Sequence, residues 1–301
     1  MVDPLGSQLL IDYQVELILV FSKKETLMRW EELTGDQFPL KVNEVKGVCL
    51  LPLSCIERHA HHLPLGTDMF IGRELCRRAA ELEPAIVYPD FIYTQILEAR
   101  HYPGAIGIDP DLVVRLMENV CREIARNGLK KIVIVNAHGG NDHLIHYFTQ
   151  IQLATRRDYV VYVAQPPLSP EDQAAVRAQW ETKVDGHAGE RETSSILVIR
   201  PDLVNKEALR PSDEGMPLAR LKTLRDLETD MGIWWYADFP THYCGDGTFA
   251  TAEKGDLMLS ARARALARAI RAIKEDTVTA SLQDEFYSKT NLPNNPSSLR
   301  S

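Results

Sequence analysis

The segment from Glu57 to Asp68 carries a dense set of possible metal ligands. It reads Glu-Arg-His-Ala-His-His-Leu-Pro-Leu-Gly-Thr-Asp and directly follows an apolar run. Glu57 and His59 are two residues apart, so in extended chain they point to the same side. Carboxylate oxygen with imidazole nitrogen suits zinc, manganese or iron better than calcium or magnesium. If the segment binds metal, we expect a hydrolase, because bound metal can produce hydroxide from water near neutral pH.

Two further segments combine histidine with small, amide or acidic residues. Residues 136–141 read Asn-Ala-His-Gly-Gly-Asn, and residues 185–194 read Asp-Gly-His-Ala-Gly-Glu-Arg-Glu-Thr-Ser. The two glycines after His138 allow a tight turn that presents backbone N–H groups to a ligand. Simpler interpretations remain open. The first segment can be a helix N-cap, and Glu190 and Glu192 can complement a helix dipole.

The elements that position these residues are predicted to alternate between strand and helix. Apolar runs predict strands at 48–53, 85–94, 132–135 and 159–164, and periodicity with capping signals predicts helices at 67–82, 110–126, 142–155, 170–183, 190–199 and 255–276. This alternation predicts an α/β fold with a mainly parallel sheet and helices on both faces. Ligands bind at the carboxyl ends of strands in such sheets. Because Glu57, His59 and His138 follow strand ends, we expect them to converge on one site.

Composition indicates an ordinary globular protein. The 301 residues are 45% hydrophobic and 25% charged, with a formal net charge of −8, so we expect no nucleic-acid partner. The basic side chains of the last helix are interpreted as a solvated face; they are Arg262, Arg264, Arg268, Arg271 and Lys274. We predict a single domain over residues 1–285, followed by an irregular arm over 286–301.

Cysteine usage and the N-terminal segment bear on location. The five cysteines are odd in number and form no CxxC pair, which favours free thiols in a reducing compartment. The apolar stretch at 9–21 is interrupted by Asp12 and Glu16, which argues against a signal peptide or a membrane span. We therefore expect a cytoplasmic protein with no membrane partner.

Taken in order, the three segments resemble the creatininase (creatinine amidohydrolase) family. Glu57, His59, His62-Leu63-Pro64 and Thr67-Asp68 match the family's Glu-Gln-His-Gly-Pro-His-Leu-Pro pattern and the Thr-Asp pair that follows it. His-Gly-Gly-Asn matches at 138–141, and His-Ala-Gly-Glu-x-Glu-Thr-Ser matches at 187–194. Weaker matches occur at 102–104 and 245–255. The combination is far more specific than any single piece.

The resemblance implies a three-layer αβα sandwich with a dinuclear metal centre. Carried over by position, Glu57, Asp68 and His138 would hold one metal. His59 and Asp68 would hold the other, with Asp68 bridging the two. Two divalent ions per subunit are expected, with zinc favoured and manganese or iron also compatible with the ligands.

Departures from the family pattern limit how far the resemblance extends. Creatininase places a glutamate two residues after the histidine that matches His138, and this chain has Gly140 there. Glu192 is then the candidate for the missing carboxylate ligand. Arg58, Ala60 and His61 replace the family's Gln, Gly and Pro. Arg58 either meets an acidic substrate or pairs on the surface.

The implied activity is hydrolysis of a non-peptide C–N bond in a small linear or cyclic amide. His187 would supply a proton to the leaving nitrogen, and Glu190 would orient His187 or receive a proton from water. Asn141 either holds substrate or caps a helix, and Trp234 lies at a pocket rim or a subunit interface. The alternatives are a peptidase acting on a short modified peptide and a metal-binding member without catalysis. The resemblance also implies a homo-oligomer, with a hexamer as the expected form.

Overall fold

A parallel sheet of four strands forms the centre of the computed structural model, which describes residues 28–209 and 213–290. The strands are β1 (Val48–Leu53), β2 (Ile86–Val87), β3 (Lys131–Asn136) and β4 (Val160–Val163), in the order β2-β1-β3-β4. Every residue of β1 is buried. Since alternate side chains of a strand point to opposite faces, both faces of the sheet are covered. The predicted α/β fold with a parallel sheet is confirmed.

Helices cover the sheet and frame its carboxyl edge. They are α1 (Gln37–Glu44), α2 (Thr67–Leu82), α3 (Pro110–Arg126), α4 (Asp142–Ile151), α5 (Pro170–Gln179), α6 (Glu190–Ile199), α7 (Lys222–Arg225), α8 (Trp234–Asp238), α9 (Ala252–Glu275) and α10 (Val278–Thr290). The long helix α9 packs against both α2 and α6. Apolar residues of α2, α3, α9 and the strands form the main hydrophobic core.

The predicted elements differ from the structure mainly at their ends. The strand expected over 85–94 is only β2, because Pro89 cannot donate a ladder hydrogen bond. Beyond it, Phe91 forms an isolated bridge to Leu53. Helix α9 begins three residues earlier than expected, where the Thr251 side chain caps the Lys254 amide. Helix α10 continues past residue 286, where the arm was expected to begin. Residues 291–301 of that arm and the segment 9–21 lie outside the described residues.

Two further observations concern the cysteines and the possibility of a membrane-spanning helix. All five cysteines are buried and carry free thiols, as their spacing predicted. Within residues 28–209 and 213–290, no helix is both long and apolar enough to cross a bilayer.

Candidate metal centre

Four segments bring their polar side chains to one edge of the sheet. The last residues of β1 and β3 pair with each other, so the chain leaves both strands at the same place. Glu57 and His59 follow β1, and His138 follows β3. Asp68 lies in the first turn of α2, and Glu192 lies in the first turn of α6. The convergence that the sequence predicted is therefore present.

The carboxylate of Asp68 lies between two histidines. Its Oδ1 is 3.2 Å from His59 Nε2, and its Oδ2 is 3.2 Å from His138 Nδ1. Glu57 Oε1 lies 2.8 Å from the same His138 nitrogen, while Glu192 Oε2 lies 3.7 Å from His59 Nε2. We call Glu57, Asp68 and His138 the first donor group, and His59, Asp68 and Glu192 the second donor group. The two groups share Asp68.

The electrostatics of the donors favour positive charge among them. Burial disfavours a charged His59, yet Asp68 and Glu192 raise the pKa of His59 to about 9. Burial also opposes charge on His138, but Glu57 and Asp68 raise its pKa well above the usual value. Glu192 differs, because burial raises the pKa of its carboxyl to about 7. The carboxylates therefore stabilise positive charge inside the cluster. Their oxygen atoms, together with the histidine nitrogens, are ligands that suit divalent metal ions.

The position of the missing family glutamate is crowded by other side chains. A Cβ at Gly140 would lie 2.5 Å from His138 Nε2 and 2.6 Å from Gln95 Nε2, and it would collide with the Glu98 carboxylate. His138 Nε2 is buried and has no hydrogen-bond partner within the described part of the chain. Glu98 Oε1, at 3.8 Å, is the carboxylate that faces this nitrogen. Glu98 therefore occupies space that a side chain at position 140 would need.

His187 lies beside both donor groups. Its ring centroid is 4.2 Å from that of His59 and 4.4 Å from that of His242. His187 Nε2 donates to the backbone carbonyl of Arg58 at 2.8 Å. Burial, with the nearby charge of His59, lowers the pKa of His187 to about 3, so its imidazole is neutral at pH 7.

His242 and Trp235 extend the cluster from the segment before α9. The His242 Nε2 atom contacts Glu57 Oε2. The indole of Trp235 donates to His242 Nδ1 at 2.8 Å, which makes Nδ1 the acceptor and directs the Nε2 proton at Glu57. His242 has a φ of 56°, a left-handed conformation that costs a non-glycine residue about 1–3 kcal/mol and is common at functional sites.

Glu190 does not contact His187. Its carboxylate accepts hydrogen bonds from Lys254 Nζ at 2.6 Å and from the Thr182 amide at 2.9 Å. Glu190 begins α6 and is fully buried, with its side chain directed toward the loop before that helix and toward α9. The expectation that Glu190 orients His187 is therefore wrong, because these contacts occupy both carboxylate oxygens.

Arg58 and Trp234 are also engaged away from the donor groups. The Arg58 guanidinium lies 4.1 Å above the ring of Tyr102 and donates to the Thr241 carbonyl at 3.2 Å. The ring of Trp234 stacks with Arg225 at 4.4 Å, and its neighbour Trp235 turns toward the cluster instead. Among the described contacts, neither predicted substrate-binding side chain reaches a donor.

Asn141 is buried beside the first donor group. Its Nδ2 donates to Asn136 Oδ1 at 3.2 Å, and its Oδ1 has no hydrogen-bond partner in the described residues. Although Asn141 precedes α4, its side chain makes no capping hydrogen bond. Of the two expected roles, helix capping is therefore not observed.

Four side chains at the site were missed or undervalued in the sequence. Cys55, Glu98, Trp235 and His242 all contact donors or their partners. Cys55 lies two residues before Glu57, a spacing that places both side chains on the same side of an extended chain. His242 lies just ahead of the matched segment at 245, and Glu98 lies just ahead of the one at 102. Their proximity to these weakly matching segments was the signal in the sequence that could have identified His242 and Glu98 as site residues.

A cavity of about 430 Å³ opens beside the donor groups. His138 of the first group and Glu192 of the second group both line it. Its other lining residues are Leu75, Val135, Asn136, Ala137, Gly139, Asp142, Ala164, Gln165, Pro166, Asp185, Gly186, Arg191, Arg262 and Leu266. A small molecule in this space would have access to both groups.

Comparisons with known proteins identify the family to which the chain belongs. The family model described as creatinine amidohydrolase matches residues 31–270. The chain is 28% identical to creatinine amidohydrolase of Pseudomonas putida over 80% of its own length and 95% of that protein. It is also 28% identical to the mycofactocin precursor peptide peptidase of Mycolicibacterium smegmatis, over 74% of this chain and 83% of that one. A solved manganese form of creatininase matches with a TM-score of 0.64 at 23% identity, covering 83% of this chain and 99% of that one. The chain belongs to the creatininase family of hydrolases.

Proposed function

We propose that this protein is a dinuclear metal-dependent amidohydrolase that cleaves a non-peptide C–N bond in a small linear or cyclic amide. The observation that carries the proposal is the position of Asp68. Its two oxygens face different histidines at 3.2 Å each, so one carboxylate can serve two ions. Family membership and the similarity to a creatinine amidohydrolase support the same reaction class.

The donor groups define the proposed ligands. Glu57, Asp68 and His138 would hold one ion, and His59, Asp68 and Glu192 would hold the other. Nitrogen and oxygen donors suit zinc best in this assignment, with manganese and iron as alternatives. When bound, two such ions would activate a water molecule and polarise the carbonyl of the substrate.

The residues around the ions would manage protons and position the substrate. His187 lies beside His59 and Glu57, and from this position it would relay a proton from the attacking water to the leaving nitrogen. Trp235 and His242 would hold Glu57 in place through their chain of contacts. The Asn141 Oδ1 atom, which has no hydrogen-bond partner in the described residues, is a candidate acceptor for an N–H group of the substrate.

A peptidase acting on a short modified peptide is the second candidate function. The relatives described as mycofactocin precursor peptide peptidases favour it. So does Gly140, since the chain lacks the glutamate that creatininase has there. A third possibility is a metal-binding family member without catalytic activity.

The expected homo-oligomer, up to a hexamer, and the cytoplasmic location stay predictions.

A substrate panel would separate these functions. Zinc-loaded protein is assayed against creatinine, other lactams, linear amides and short peptides, with and without a chelator. Turnover of a small amide that a chelator abolishes would support the proposal. Cleavage of peptides alone would transfer the assignment to a peptidase, and stoichiometric metal with no turnover of any compound would contradict both enzymatic functions.

A further inference from the structure

Arg262 lies on a face of α9 that packs into the protein. Leu259, Arg262 and Leu266 are spaced three and four residues apart, so they share one side of the helix. Both leucines are almost fully buried. Arg262 is half-buried between these leucines, so it differs from the fully solvated face that was expected for the basic side chains of this helix.

The other basic side chains near the end of α9 all have acceptors. These pairs are Arg264 with Asp172, Arg268 with the Pro167 carbonyl, and both Arg271 and Lys274 with Glu83. Within residues 28–209 and 213–290, no hydrogen bond or ion pair involves the Arg262 side chain. Arg262 is half-buried, and a charge withdrawn from bulk water is ordinarily paired, so its guanidinium is available to a partner in the cavity.

Arg262 lines the 430 Å³ cavity together with His138 and Glu192. Burial lowers the pKa of its guanidinium, which reflects the cost of enclosing the charge. The other arginine of the cavity wall, Arg191, is already paired with Asp185 at 3.1 Å. Glu192 influences Arg262 electrostatically but belongs to the second donor group, where a metal ion would neutralise it.

We propose that the cavity binds an anionic group of the substrate, a carboxylate, against Arg262 while the C–N bond lies at the donor groups. This inference rests on the proposed amidohydrolase function and names the substrate class as amides that carry a carboxylate. A guanidinium in an enclosed site recognises a planar carboxylate through two parallel hydrogen bonds.

Two hydroxamates of equal chain length would test the carboxylate site in the zinc-loaded protein. Butyrohydroxamate and succinate monohydroxamate share the metal-binding head group, but only the second ends in a carboxylate. Their dissociation constants are measured by calorimetry for the wild type, Arg262→Gln, Arg262→Lys and the matched control Arg264→Gln. The wild type and Arg264→Gln are expected to favour the carboxylated probe by about tenfold or more. Arg262→Lys should keep part of this preference, and Arg262→Gln should lose it.

An equal preference in Arg262→Gln and the wild type would overturn the inference. If neither hydroxamate binds, the proposed metal function fails, and the anion site is tested separately by titrating metal-stripped protein with succinate and with succinamide. Succinate binding that disappears in Arg262→Gln would support the anion site in that case, and no difference would refute it. The melting temperature of Arg262→Gln should be unchanged or higher, because the variant removes an unpaired charge; a large decrease would instead indicate a structural role.

Cys55 provides a second, independent inference. Its sulfur lies 3.3 Å from Glu57 Oε1 and 3.2 Å from Asp68 Oδ2. His138 Nδ1 faces the same two oxygens. In a tetrahedral zinc site, a sulfur and an oxygen ligand lie about 3.6 Å apart, close to the separations found here. Sulfur, nitrogen and two oxygens thus surround one point, and all four side chains are buried.

We infer that Cys55 is a fourth ligand of the first donor group, binding as thiolate with its proton released to solvent. A sulfur ligand favours zinc over manganese, which prefers oxygen. This chain would therefore select zinc more strongly at the first donor group than a site made of oxygen and nitrogen alone.

Cobalt substitution would test the sulfur ligand without reference to activity. The Co²⁺ protein is expected to show a near-ultraviolet sulfur-to-cobalt charge-transfer band that Cys55→Ser abolishes and the control Cys244→Ser retains. Cys55→Ser should also lower the ratio of zinc to manganese affinity. X-ray absorption of the zinc-loaded wild type needs no variant, and it should give a Zn–S distance of about 2.3 Å. Absence of zinc–sulfur scattering, or a band that persists in Cys55→Ser, would overturn the assignment.

Discussion

Replacement of Gly140 by alanine should disturb the first donor group while leaving the fold in place. The added Cβ would lie 2.5 Å from His138 Nε2 and 2.6 Å from Gln95 Nε2, and it would also collide with Glu98. The Gln95 and Glu98 side chains can rotate away at their flexible ends. The His138 ring cannot move freely, because Glu57 and Asp68 hold its other nitrogen.

The expected losses of stability and of zinc affinity follow from this difference between the flexible Gln95 and Glu98 side chains and the fixed His138 ring. Overpacking of this kind costs about 1–3 kcal/mol in the free energy of unfolding. Displacement of a histidine relative to its ligand partners should weaken metal binding by about 10–100-fold. Urea unfolding measures the first quantity, and calorimetric zinc titration measures the second.

The neighbouring glycine offers a matched control. A Cβ at Gly139 meets nothing within 4 Å, so Gly139→Ala should change the free energy of unfolding by no more than about 0.5 kcal/mol. Combining Gly140→Ala with Glu98→Ala removes one collision and should recover part of the stability. If the Gly140 and Gly139 variants cannot be distinguished in stability or in zinc affinity, the crowding argument is refuted.

Three further predictions test the surroundings of the donors. His242→Ala should weaken zinc binding by about 10–100-fold, because its ring contacts Glu57. Calorimetry should show a smaller loss of zinc affinity for Trp235→Phe. Unchanged zinc affinity in both variants would contradict the positioning of Glu57 by His242. Glu190→Gln should lower the free energy of unfolding by about 1–3 kcal/mol, since Lys254 loses a buried carboxylate, while metal analysis finds the wild-type content. Although burial opposes charge on both histidines, Asp68 raises the pKa of His59 to about 9, and Glu57 with Asp68 raises that of His138. Zinc must therefore displace protons from both ligands, and its affinity should increase about tenfold or more per unit between about pH 6 and pH 8; a flat profile would exclude this competition.

Local signals account for the parts of the fold that the sequence predicted well. Helix α3 begins at Pro110, a residue whose fixed φ suits the first helical position. The continuous apolar run of β1 reflects burial on both faces. The position of Glu57 and His59 after that strand then followed from the rule that parallel strands place ligand sites at their carboxyl ends.

The residues that sequence reasoning placed wrongly depend on distant contacts. His242 reaches Glu57 from 185 residues away through a left-handed backbone in an irregular segment, and no periodicity marks such a position. Glu190 has the acidic first-turn character that was recognised, but Lys254 of α9 decides where its carboxylate lies. Arg262 falls on the same helix as solvent-facing arginines, and only the packing of α9 against α2 and α6 separates it from them.

The metal content of Asp68→Ala tests the central claim most directly. Asp68 is the residue that both donor groups share, whereas Asp172 pairs with Arg264 away from the centre and supplies the matched control as Asp172→Ala. Elemental analysis after zinc loading and desalting is expected to find two ions per chain in the wild type and in Asp172→Ala, and close to none in Asp68→Ala. A wild type that binds only one ion, or an Asp68→Ala protein that keeps two, would contradict the shared dinuclear centre.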